Sequence, residues 1–186
     1  MDFFAKTNRG LHYGFTLVEV LIIVFTLGIV ATLALPALKS GIEESKLSGA
    51  SDEITVALEY SQIVAMTSGE QTRVTIDAAS DTILVERFEI SGDITGAVIP
   101  EDDIEIGAFA TMPHPASRGK NYYIVFADEA RFNGVDIVSA TFGAGQTVTF
   151  GAMGIPSTGG TVMLSLGSRQ VSLTIDSLTG KVTSSG

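Results

Sequence analysis

The hydrophobic pattern changes character along the chain. Residues 15–35 are an almost unbroken apolar run in which Glu19 is the only charge. As a helix rising about 1.5 Å per residue, such a run reaches about 30 Å, the depth of one bilayer core. Thr16, Thr26, Thr32 and Gly28 dilute it only slightly. A membrane-spanning helix is therefore the first expectation. Pro36 follows the run directly, removes one backbone donor and should bend the helix, with Gly41 as a second weak point. The alternative is a helix that ends near Pro36.

From Ile42 the pattern turns amphipathic. Ile42, Leu47, Ile54, Leu58 and Ile63, with Val56 and Ala65 nearby, form an imperfect stripe at helical spacing, expected to lie against a sheet. Glu43, Glu44, Lys46, Asp52, Glu53 and Glu59 fill the other face, and Gly69 is the expected stop.

The remainder reads as β-structure. Strand-like runs cover 72–76, 82–88, 122–126, 147–150, 161–166, 171–175 and 181–183, with 77–81 as a turn. Residues 91–103 and 112–115 read as loops. Short strands at close spacing suggest antiparallel sheet, as two small sheets packed together. The expected fold class is α+β. Residues 15–38 form the membrane half of one long helix, 39–69 its soluble amphipathic half, and 70–186 a β-rich domain. After the long helix about 115 residues remain, which suits a single core.

An ionised carboxylate in a membrane helix costs about 3 kcal/mol or more, which points to a partner and a purpose for Glu19; the alternative is a shallow carboxylate that snorkels to the headgroups. Directly upstream lies Arg9-Gly10-Leu11-His12-Tyr13-Gly14, a short polar leader ending in glycine. Cleavage after Gly14 would make Phe15 the new N-terminus, with Glu19 close behind it. Gly14, Phe15, Thr16, Leu17, Glu19 and the apolar run together resemble the signal of type IV pilins and of type II secretion pseudopilins. An ordinary secretory signal is cut after its apolar core; here the cut falls before it and the helix is kept. The resemblance implies a cleaved leader at 1–14, processing by a prepilin peptidase, N-methylation of Phe15 and assembly with other pilin or pseudopilin subunits. When identical helices stagger, the Phe15 amine of a neighbour is the cation nearest to a buried Glu19.

The C-terminal part narrows the resemblance. Val148 and Phe150, Gly154, Gly159-Gly160, the runs 161–166 and 171–175, and Thr179-Gly180-Lys181-Val182 look like the H-type pseudopilins and the related FimT-type minor pilins. Gln62 and Lys181 depart from that pattern, which often carries Arg there. The implied role is a structural subunit of a type II secretion pseudopilus, supporting protein export across the outer membrane. The alternative is a FimT-type minor pilin acting in DNA uptake or adhesion, and a third reading is a membrane-anchored hydrolase.

Charge adds orientation. The chain carries a net −10, and the leader, with Lys6, Arg9 and Asp2, is the positive part. Positive flanks stay in the cytoplasm, so the expected location is the inner membrane, single-pass, with the C-terminal domain in the periplasm. The acidic body makes nucleic acid an unlikely partner, because phosphate contacts need clustered Lys and Arg. Arg118, Lys120, Arg131, Arg169 and Lys181 are scattered. There is no cysteine, hence no thiolate nucleophile and no cysteine zinc site.

Candidate chemistry is sparse. Asp93, Glu101, Asp102, Asp103 and Glu105 could ligate calcium but lack EF-hand spacing, and read as a solvated loop. His114, between two prolines, reads as a surface loop residue without a second His or Cys to share a metal. No Gly-x-Ser-x-Gly elbow frames a nucleophile, and Gly143-Ala144-Gly145 reads as a turn rather than a phosphate loop. No catalytic, metal or cofactor site is assigned. If the junction is read correctly, replacing Gly14 by a bulky residue leaves the leader attached. Intact-mass measurement checks this, and normal-sized mature protein from that variant would contradict it.

Overall fold

The structure is a computed structural model and describes residues 14–90 and 107–186. Among the described residues one α-helix, α1 (Leu17–Ser68), is followed by nine strands and a single 3-10 turn at Phe126–Asp128. The chain divides into two compact units, Met1–Gly41 and Ile42–Gly186. In the first, α1 is helical through Pro36 rather than ending there; the side chains of 33–37 lie outside the described residues.

The second unit holds the remainder of α1 and two antiparallel sheets. In the first sheet, β1 (Thr72–Asp77) lies between β2 (Thr82–Ile90) and β6 (Thr147–Phe150). The free side of β2 is shared by β4 (Tyr123–Val125) and β3 (Gly107–Thr111). The second sheet has the order β5 (Asp136–Phe142), β7 (Gly160–Leu166), β8 (Arg169–Ile175), β9 (Val182–Ser185). The fold is α+β: a helix packed on antiparallel sheets.

The buried face of α1 runs through Leu47, Ala50, Ile54, Ala57, Leu58, Ser61 and Ala65. Their alternating three- and four-residue steps keep one stripe against the sheets. Ile42, Val56 and Ile63 belong to the expected stripe but not to this one. They are 58%, 44% and 53% exposed. Multiples of seven residues separate them, so they share the opposite side of the helix. Glu53, expected on the polar face, is buried. The period was legible; its phase needed the sheets.

Polar contacts fix the helix against the strands. The Ser61 hydroxyl donates to Thr72 Oγ1 at 2.8 Å, and the Thr72 hydroxyl donates to the Ser61 carbonyl at 2.9 Å. Both side chains are fully buried, and each satisfies the other. The helix stops at Gly69, whose φ of +72° favours glycine and whose N–H bonds the Ala65 carbonyl.

Two strands were not expected from the sequence. β3 is a short run of mostly small residues, Gly-Ala-Phe-Ala-Thr. β5 carries an irregularity in pairing between Ile137 and Ser139. Its buried residues, Ile137, Ala140 and Phe142, therefore break the two-residue alternation that marks a strand. Leu58, 1% exposed, sits centrally in the buried stripe. Leu58→Ala should destabilise the folded unit by about 2–5 kcal/mol, read from the shift in its denaturant midpoint.

Candidate functional site

The N-terminal segment begins with Gly14, Phe15 and Thr16 ahead of α1. Thr16 caps the helix. Its carbonyl accepts from the N–H groups of Glu19 and Val20 at 3.1 and 3.2 Å, and its hydroxyl accepts from the Glu19 N–H at 3.2 Å. Glu19 is thus in the first turn, at the end of α1 where exposed N–H groups favour a negative charge. The Thr-x-x-Glu spacing of a capping box was the available signal.

Past the cap the helix is apolar all round. The large side chains from Leu17 to Val30 are between 45 and 82% exposed, on consecutive residues and so on every side. The polar residues among them look inward. The Thr26 hydroxyl donates to the Ile22 and Ile23 carbonyls at 2.9 Å, and that of Thr32 to Ile29 at 2.7 Å. These threonines therefore need no water or partner for their donors. Among the described residues no helix is long and apolar enough to cross a membrane. The side chains of 33–35, which complete the run expected from the sequence, lie outside them.

In the second unit one polar cluster centres on Glu53. The Tyr122 hydroxyl donates to Glu53 Oε1 at 3.1 Å, and His114 Nε2 lies 3.4 Å from the same oxygen. Arg131 Nη2 reaches Oε2 at 3.0 Å. The Ala116 N–H donates to His114 Nδ1, which makes Nε2 the protonated nitrogen facing the carboxylate. Burial and the neighbouring Glu53 carboxylate push the Tyr122 hydroxyl far above its ordinary range, so it remains a donor. Arg131 also stands 4.3 Å over the Phe132 ring. His114 corrects the sequence expectation: its side chain is only 10% exposed and packs 4.4 Å from the Tyr122 ring. The cluster ties two loops to α1, and Tyr122 at its centre is fully buried.

Gln62 is a second tie. Its amide donates to the Gly154 carbonyl at 2.7 Å and the Thr179 carbonyl at 2.8 Å. A side chain at Gly180 would collide with that amide at 2.6 Å. Gln62 therefore uses its two donors where the resemblance more often has Arg. The turn beside it is built on Asp176, whose Oδ1 accepts from the N–H groups of Leu178 and Thr179 and from the Thr179 hydroxyl.

Lys181 precedes β9, and Gly143 and Gly145 form a tight turn closed by paired Phe142–Gly145 hydrogen bonds. Among the described residues no group of His, Cys, Asp and Glu could hold a metal ion. Asp93, Glu101, Asp102, Asp103 and Glu105 lie outside the described residues, as does the leader up to residue 13.

No protein-family model matches the chain, and no curated protein matches it. It is similar to the minor pseudopilin EpsH of the type 2 secretion system of Vibrio cholerae, with a TM-score of 0.49 and 12% identity over 75% of this chain and 95% of that one. It is also similar to the type IV minor pilin FimU of Pseudomonas aeruginosa, with a TM-score of 0.44 and 16% identity over 77% and 91%. At these identities both are likenesses of chain path, and no residue role passes from them to this chain.

Two predictions follow from the geometry. Glu53→Ala should cost about 1–3 kcal/mol in denaturant unfolding, because it leaves the buried Tyr122 hydroxyl without its acceptor; Arg131→Ala, at a half-exposed site, should cost less. Hydrogen bonds from Thr179 and Leu178 hold the Asp176 carboxyl below its usual range. Its folded-state value is depressed, so its stabilisation is present above the ordinary aspartate value of about 3.9 and is lost as pH falls through the lower folded value. Asp176→Asn should flatten that part of the acid-unfolding curve.

Proposed function

We propose that this chain is a pilin-like subunit of a membrane-anchored filament, and within that class a minor pseudopilin of a type II secretion system. The observation that carries the reading is Glu19 in the first turn of a helix apolar on every side, directly behind the Gly14–Phe15 junction. An apolar surface around a whole helix is stable only when lipid or other helices cover it. A single acid at the head of that surface gives assembly its direction.

The steps are these. A prepilin peptidase cuts after Gly14 and frees an amine on Phe15, which is then methylated. Before assembly the helix sits in the inner membrane with the β-rich unit in the periplasm. On assembly, Glu19 of this subunit pairs with the terminal amine of a neighbour. Each charge alone is costly in hydrocarbon, and together they fix the stagger between helices. Helix packing supplies the rest, and the β-rich unit presents its loops on the fibre. The role is structural rather than catalytic. The net negative charge disfavours the DNA-binding alternative.

Glu19→Val tests the reading. The variant should remain membrane-inserted yet be depleted from sheared filaments, measured by immunoblot of membrane and sheared fractions. Equal recovery in filaments would remove the pairing role.

A further inference from the structure

The free edges of the sheets differ. In the second sheet, β5 begins with Asp136 and is interrupted by its pairing irregularity. In the first, β6 is overlaid by the returning chain, through the Phe150–Pro156 bridge and the Ser157 N–H to Thr149 carbonyl bond. These are the usual protections of a sheet edge. Among the described residues β9 has neither, and its protection is its length of four residues. Its sequence is Val-Thr-Ser-Ser, without charge, proline or register shift, and Thr183, Ser184 and Ser185 are exposed.

Its hydrogen-bonding direction is fixed by its partner. The Asp176 N–H donates to the Lys181 carbonyl. In an antiparallel pair the bonding residues alternate, so Thr183 and Ser185 face β8. The N–H and C=O groups of Val182 and Ser184 then point to the open side.

Beside that edge lies a groove of about 440 Å³ between β8–β9 and α1. Leu47 and Ser51 of α1 and Arg169, Val171 and Ser184 of the sheet line it, and Glu44 and Asp52 stand on its helix side. Glu44 is held by Arg169 at 3.3 Å, whereas Asp52 has no ion pair among the described residues. A strand added to β9 would continue the sheet over this groove and place alternate side chains into it.

We propose that β9 and this groove form a docking site for an extended segment of another polypeptide, which adds as a fifth strand of the second sheet. Main-chain groups of Val182 and Ser184 supply the pairing, Leu47 and Val171 the apolar floor, and Asp52 a preference for a basic side chain on the incoming segment. Asp52 and the net charge of −10 favour such a segment over a second copy of this chain. The edge is present whether or not the chain assembles into a fibre.

The test uses the full chain in detergent micelles and a fluorescent peptide with the sequence of β8, Arg-Gln-Val-Ser-Leu-Thr-Ile, which already complements β9 on its other side and carries a cation. Saturable binding by anisotropy is expected. Ser184→Pro removes only an outward N–H, at an edge position where proline is tolerated, and should weaken binding about tenfold, the scale of one lost backbone hydrogen bond. Ser184→Ala should bind as the parent does, and Asp52→Lys should bind more weakly. No saturable binding, or equal binding by the parent and Ser184→Pro, would overturn the site. Concentration-dependent dimers that Ser184→Pro dissolves would overturn the choice of partner.

Discussion

The β-rich unit depends on one seam, the stripe from Leu47 to Ala65 on α1 that both sheets enclose. Apolar packing is strong but has little direction, and by itself would let the helix slide or turn. Direction comes from polar residues of the helix, among them three that are buried or half-buried. Glu53 holds His114, Tyr122 and Arg131; Ser61 exchanges hydrogen bonds with Thr72; Gln62 holds the carbonyls of Gly154 and Thr179. Glu53 and Gln62 bind chain distant in sequence, and Ser61 binds the first strand after the helix. Together they set the rotation and height of the helix against sheets that would otherwise share only a greasy contact.

The same helix carries a different surface near its start. From Leu17 to Val30 it is apolar on every side, and its threonines turn their hydroxyls back onto their own carbonyls. A helix in water keeps a polar side; this segment keeps none after Glu19. Glu19 is the only charge in that run and stands in its first turn, beside the free N–H groups that begin the helix.

Exposed apolar residues on the folded unit divide by what surrounds them. Ile42, Val56 and Ile63 share one side of α1, turned from its own sheets. Met153, Ile155 and Leu178 sit on the loops that Gln62 gathers. The β9 edge differs from both, because its unmet requirement is directional: main-chain donors and acceptors that only an extended strand can match.

Residue order alone determined the local features. The apolar run, Glu19 behind Gly14 and Phe15, and the helical period after Ile42 are set by neighbours a few positions apart, and so are most of the strands. Gly69 needed only its own freedom at positive φ. The tertiary structure decided the rest. It chose which side of α1 is buried, leaving Ile42, Val56 and Ile63 outside and taking Glu53 in. It drew His114 from an expected surface loop into a carboxylate contact, and it used the pairing irregularity in β5 to hide that strand from its own alternation. These outcomes depend on partners tens of residues away, and a local pattern carries no record of them.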